Sequence, residues 1–204
     1  MSTKSHLFAA AAVTLAVGLG ATTANAAGVF TLQSKTFADG QMMPKKVANS
    51  QANTHGNPNC VGENISPELH WSNVPAGTKS FALLVTDPDA RNGAGVMQTV
   101  LYGIPATLTE LAEGALSKPS DNYVGGKNIA GVGTYFGPCT PLGTAPHHYT
   151  FILIATTFEP KELPPGLTHD QVVDRIAPGG KAPVNAKASA GLVGLFVNPW
   201  RPNE

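Results

Sequence analysis

Cysteine is nearly absent from this 204-residue chain: Cys60 and Cys139 are the whole inventory, and no Cys-x-x-Cys pair occurs. With histidines scattered rather than clustered, this excludes a zinc set of the usual spacing. A surplus of one charge is missing too. Thirteen basic and thirteen acidic residues leave no net charge, so the chain lacks the basic footprint of a nucleic-acid binder or of a protein drawn to an anionic membrane surface. No repeat, low-complexity tract or heptad is present, which excludes a solenoid or coiled coil. After the N-terminal stretch, no segment is long and apolar enough to cross a bilayer as a helix.

What the chain does have is glycine (22) and proline (17). Apolar, β-prone runs alternate with these turn formers, which predicts a β-dominated fold with long loops. The first 26 residues stand apart. Lys4 supplies a positive n-region, Leu7 to Leu19 an apolar run, and Ala24-Asn25-Ala26 a small-residue cleavage pattern. This predicts a secretory signal over residues 1–26, a single domain over 27–204, and a periplasmic or secreted location. A membrane anchor is the weaker reading, because the run falls short of the roughly 18 apolar residues needed to span. In an oxidising compartment an even pair of cysteines favours a Cys60–Cys139 disulfide, with two free thiols as the alternative.

The stretch Gly133 to Tyr149 carries three glycines and three prolines and runs directly into Thr150-Phe151-Ile152-Leu153-Ile154-Ala155. That is a stiff loop feeding a buried strand, an arrangement suited to presenting polar groups at the mouth of a sheet. Strand alternation puts His147 and Tyr149 on one face and His148 on the other. Phe81-Ala82-Leu83-Leu84-Val85 is a second buried run, ending in Thr86-Asp87-Pro88-Asp89-Ala90. Pro88 breaks the ladder where the two carboxylates emerge. A third strand, Val96 to Ile104, carries Gln98 and stops at Pro105. An anion site needs donors and a convertible charge: His147 can be cationic beside a carboxylate such as Asp87, Tyr149 adds a hydroxyl, and backbone N–H groups of the glycine loop around Gly137 can form a nest. The plainer alternative has Asp87 capping a turn and His147 as a satisfied interior group.

Elsewhere, Val29 to Leu32 is expected as a first strand and Leu192 to Val197 as a last one. Thr168-His169-Asp170-Gln171 is a capping box that opens a helix through Ile176, with Val172, Val173 and Ile176 toward the sheet. A weaker helix is expected between Pro183 and Gly191. Thr107 to Gly114 is expected as a turn, and Pro119 to Ile129 as a surface loop most flexible at Gly125-Gly126. His55 and His169 are expected at the surface, and His70 against solvent or a cross-strand partner.

Asp87-Pro88-Asp89-Ala90, Gly137-Pro138-Cys139-Thr140-Pro141 and His147-His148-Tyr149 together resemble the phosphatidylethanolamine-binding proteins, and among them the bacterial secreted Raf-kinase-inhibitor-like branch. Ser34 to Pro44, Asn64 to Trp71 and Pro75 to Phe81 fit the same family, so the resemblance covers nearly all of the chain after residue 26. It implies a mainly β fold, a β-sandwich with a central sheet and small peripheral helices. It also implies a small anion pocket built from Asp87, His147 and Tyr149, with Pro88 and Pro141 in its walls. Two departures matter. Gln98-Thr99 stands where the family normally has His-Trp, and Arg91 where it usually has a proline. Gln98 still donates a hydrogen bond but carries no charge, which should weaken anion binding by about 1 kcal/mol.

The function expected from these readings is an exported, non-enzymatic binding protein that takes a small anion, phosphate or a phosphorylated headgroup, or acts through a protein partner. No cofactor, metal, nucleic acid or transmembrane segment is expected. The alternative is a hydrolase with His147 as base and Asp87 as its orienter. It lacks a recognisable nucleophile, since no Gly-x-Ser-x-Gly occurs and Cys139 is expected to be oxidised.

Overall fold

In the computed structural model, which describes residues 28–50, 60–177 and 184–199, nine strands follow one another along the chain. They are β1 (Thr31–Gln33), β2 (Gln41–Met42), β3 (Leu69–Ser72), β4 (Ser80–Asp87), β5 (Val96–Pro105), β6 (Glu110–Leu111), β7 (Val124–Gly125), β8 (His147–Thr156) and β9 (Ala186–Phe196). The expected signal over residues 1–26, His55 and Pro183 lie outside the described residues. The strands make a small sheet ordered β1-β3-β6 and a large one ordered β2-β9-β8-β4-β5-β7. Pairing in the large sheet is antiparallel except for β2 beside β9.

The apolar run of β4 explains the layering. Phe81 through Val85 are all buried, because both faces of this strand are covered. Phe81, Leu83 and Val85 face the small sheet, where they join Phe30, Leu32, Leu69 and Trp71 in one core. The Phe81 ring stacks on Phe30 at 6.1 Å and meets the edge of Trp71 at 5.1 Å. Ala82 and Leu84 point the other way, with Val100 and Tyr102 of β5, onto Val172 and Ile176 of the helix His169–Ile176. Burying one such large apolar side chain is worth about 1.5–3 kcal/mol, so two covered faces fix the register of the central strands. The helix starts as expected: Gln171 N–H donates to Thr168 Oγ1 at 3.3 Å and Thr168 N–H to Gln171 Oε1 at 3.0 Å. No helix among the described residues is long and apolar enough to cross a membrane.

Several local expectations need correction. The segment from Ala186 to Gly191 is strand rather than helix. It pairs with β8 in a continuous ladder, His147↔Phe196 through Ala155↔Ala188, and this pairing overrides the helical preference of its alanines. The strand accordingly begins earlier than Leu192 and ends at Phe196. The first strand starts at Thr31, two residues late, with Val29 left exposed. Within Thr107 to Gly114, Glu110–Leu111 forms β6 because buried Leu111 pairs with Leu69. Gly125 and Gly126 are sites of close packing, not flexibility. A Cβ on Gly125 would lie 2.4 Å from Gly133 O, and one on Gly126 2.5 Å from Leu167 O. His70 is partly open to solvent, as expected, and its Nδ1 also lies 2.8 Å from Oε1 of Glu68, the residue just before β3.

Candidate functional site

Strand β4 ends at Asp87 because Pro88 has no N–H to continue the ladder. The next N–H groups turn back: those of Asp89 and Ala90 both donate to Asp87 Oδ1 at 3.1 Å. Strand β8 runs antiparallel beside β4, which brings its first residue to the same rim. His147 Nδ1 lies 2.9 Å from Asp87 Oδ2 and 3.2 Å from Oδ1. Both partners are buried, their side chains 10% and 3% exposed. With Nδ1 on the carboxylate, Nε2 is the ring nitrogen left for a ligand. His148 points outward, as alternation requires. Its backbone N–H donates to Asp89 Oδ2 at 2.7 Å, and its Nδ1 sits 2.9 Å from the same oxygen. The backbone bond first, and then the ring, hold the Asp89 carboxyl below its ordinary range.

Gln98 reaches the site through an irregularity. The β4–β5 ladder pairs Val85 with Thr99 and Thr86 with Met97, passing over Gln98. Such a bulge adds one residue to a strand and re-aims its side chains. Met97 packs toward the helix-side core, while Gln98 and Thr99 both turn the other way. Thr99 Oγ1 accepts the Phe136 N–H at 3.3 Å. Gln98 is only 5% exposed, and its Oε1 has no hydrogen-bond partner.

The glycine- and proline-rich loop forms the opposite wall, and its support comes from residues that carry no motif by themselves. Asn64, at φ 56°, accepts the Gly137 N–H at 2.9 Å and donates to Tyr135 O at 3.1 Å. Tyr135 Oη donates to Val47 O at 2.9 Å. Gly137 is there for close approach: a Cβ on it would lie 2.1 Å from Val47 O. Cys139 is joined to Cys60 in a disulfide, as the compartment argument expected. The expected nest of loop N–H groups does not form at Phe136 and Gly137, whose donors are engaged by Thr99 and Asn64.

Asp87, Gln98, Pro141 and His147 line one hollow of about 480 Å³, walled also by Val96, Ile129, Phe136 and Cys139, with Arg91 and Asn92 at its mouth. Pro88, Gly137 and Tyr149 do not line it. Tyr149 shares the parity of His147 but stands behind it, 1% exposed, with its hydroxyl 2.9 Å from Thr140 Oγ1. Burial above all, with the Asp87 charge adding, pushes its phenol far up. Thr140 is held from behind by Asn198, whose amide donates to Thr140 O at 3.2 Å. Asn64, Thr99, Thr140 and Asn198 thus support the hollow, a role that sequence reasoning missed. Asn64, Thr99 and Thr140 stand in stretches that bear on the family resemblance, but nothing in those stretches says which backbone group each would hold. Arg91 and Asn92 adopt left-handed φ of 53° and 57°. Arg91 is exposed and in no ion pair among the described residues. A neighbouring hollow of about 500 Å³ shares Arg91, Val96 and Ile129 but includes neither the Asp87–His147 pair nor Gln98.

Chemically the first hollow offers a ring nitrogen, an amide and a guanidinium at the rim. Its hydroxyl and sulfur side chains are engaged. Thr144 Oγ1 donates to Pro141 O at 2.9 Å, and Cys139 is in the disulfide.

Comparison with known proteins agrees with this architecture. Residues 33–189 match the phosphatidylethanolamine-binding protein family. YbcL of Escherichia coli K12, a UPF0098 protein, is 38% identical over 143 residues, covering 68% of this chain and 67% of its own. LppC of Mycobacterium tuberculosis H37Rv, named as a candidate lipoprotein, is 36% identical over 175 residues, covering 86% of this chain and 76% of its own. The crystal structure of E. coli YbcL, described as a new member of the mammalian PEBP family, superposes with a TM-score of 0.68 at 31% identity, over 82% of this chain and 97% of that one. The two-sheet fold, the Asp87–His147 rim and these matches lead to one conclusion: this chain belongs to the phosphatidylethanolamine-binding protein family.

Proposed function

We propose that this protein is exported and binds a small oxyanion, phosphate or the phosphate of a phosphorylated headgroup, without turning it over. The observation that carries the reading is the buried Asp87–His147 bond at 2.9 Å in the wall of a hollow that also presents the Gln98 amide. The carboxylate engages Nδ1 and orients the ring, which leaves Nε2 as the ring nitrogen available to a ligand. Arg91 adds a cation to the lining that is in no ion pair among the described residues. Export is supported by the signal pattern of residues 1–26, the disulfide, and a relative named as a candidate lipoprotein. Hydrolysis is a second reading of the same pair, with His147 as base for a water. A covalent route is the less favoured form of it, since Thr144 Oγ1 is hydrogen-bonded and Cys139 is in the disulfide.

The test is a titration of inorganic phosphate followed by NMR. His147→Ala should weaken binding by about 1.5–3 kcal/mol, the worth of a hydrogen bond to a charged group. Gln98→His should strengthen binding by about 1 kcal/mol. Unchanged binding in His147→Ala would sink the reading. Turnover of a chromogenic phosphate or carboxylate ester, lost in His147→Ala, would favour the hydrolase instead.

A further inference from the structure

Gln98 stands out in the hollow as a side chain neither charged nor satisfied. It is carried there by the β4–β5 bulge, it is 95% buried, and its carbonyl oxygen is one of two buried side-chain polar atoms without a partner among the described residues. The other, Trp71 Nε1, lies in the core between the sheets. A buried acceptor left unpaired is costly, and a ligand that supplies a donor recovers that cost. Most carboxylate oxygens that line the hollow are already engaged, and Asp89, whose Oδ1 carries no hydrogen bond among the described residues, is open to solvent. Asp87 Oδ1 receives two backbone N–H groups, Asp87 Oδ2 receives the His147 ring, and Asp89 Oδ2 receives both the N–H and the ring of His148.

The charge count of the inner hollow points the same way. The lining holds two carboxylates, Asp87 and Asp89, against one guanidinium, Arg91, and one imidazole, His147, and Gln98 contributes no charge, so it has no surplus of positive charge. Such a site suits a singly charged group better than a doubly charged one. A phosphate monoester below its second pKa of about 6 has a single charge and keeps one P–OH donor. A sulfate monoester has the same charge and tetrahedral shape but no proton.

We propose that Gln98 is a specificity-determining residue whose Oε1 accepts the proton of a monoprotonated phosphate ester, so that the pocket prefers this group to a sulfate ester of equal charge. The oxygen is closed off from solvent while the side chain lines the hollow, and the terminal torsion of glutamine is broad enough to exchange its oxygen and nitrogen. A histidine at this position, protonated, has only donors to offer and cannot make the distinction. The inference rests on the oxyanion reading above and goes further, since it names the protonation state of the ligand.

The experiment titrates methyl phosphate and methyl sulfate into the whole protein at pH 5, with affinities read by NMR, for wild type, Gln98→Met and Gln98→His. Wild type should favour methyl phosphate by roughly tenfold, the scale of satisfying one buried acceptor. Gln98→Met, close in shape, should bind both esters equally. Gln98→His should bind both more tightly and also lose the preference, so the proposal does not hang on one variant folding. Equal binding of the two esters by wild type overturns the inference while leaving the oxyanion reading in place. A preference that survives in Gln98→Met also overturns it, because Asp87 would then be reading the proton. Binding of neither ester overturns both.

Discussion

Two aspartate–histidine pairs sit side by side at the end of β4, their aspartates two positions apart across the strand's end and their histidines adjacent in β8. Asp87–His147 is buried, with side chains 3% and 10% exposed, whereas Asp89–His148 is open, at 40% and 56%. The contact distances are the same, 2.9 Å in each. Strand alternation alone sends one histidine inward and the next outward. The difference teaches that the chemistry of the site comes from its surroundings rather than from the bond. The inner pair is shielded from water and shares a hollow with Gln98, so its charge would act more strongly on a group bound there. The outer pair is screened and serves to hold the Asp87–Gly95 turn against β8.

That contrast can be broken from several sides. The largest effect should come from the wall facing the inner pair. Cys60→Ser with Cys139→Ser opens the loop that the bridge closes and should lower unfolding stability by about 4 kcal/mol in urea titrations. Asp87→Ala should cost about 3 kcal/mol, because it strips the buried ring of its partner and frees two turn N–H groups. Asn64→Ala removes the acceptor of Gly137 and should cost about 2 kcal/mol by the same measurement. Asp89→Ala, at the outer pair, should cost under about 1 kcal/mol. If Asp87→Ala and Asp89→Ala cost the same, burial does not separate the two pairs.

The outer pair also makes a pH prediction with a definite sign. Asp89 has its folded pKa depressed, so its support is full above the unfolded carboxylate pKa and is lost as the pH falls through the depressed value. Asp89→Asn should therefore flatten a small part of the acid loss of stability, seen as urea midpoints that fall less steeply on acidification. A steeper fall in the variant would contradict the shift.

Much of the scaffold was legible in the residues. The unbroken apolar run of β4 and the proline after Asp87 showed where a doubly covered strand stops. Alternation from His147 to Tyr149 showed which histidine turns inward, and the Thr168–Gln171 box gave the helix start. Other features were hidden for physical reasons. The bulge that puts Gln98 and Thr99 on one side is a pairing slip between two strands, and no single-strand periodicity reports it. The alanine-rich start of β9 looks helical until its partner β8 is present. Depth along a strand is equally silent. Tyr149 has the right face for the pocket but lies behind it, against Thr140.

The most direct test of the central claim is a crystal structure of the protein soaked with a phosphate monoester. The account expects the phosphorus inside the hollow lined by Asp87, Gln98, Pro141 and His147, with ester oxygens within hydrogen-bond reach of His147 Nε2 and the Gln98 amide. An ester found only in the neighbouring hollow beside Lys127 and His169, or none bound in this region, would contradict it.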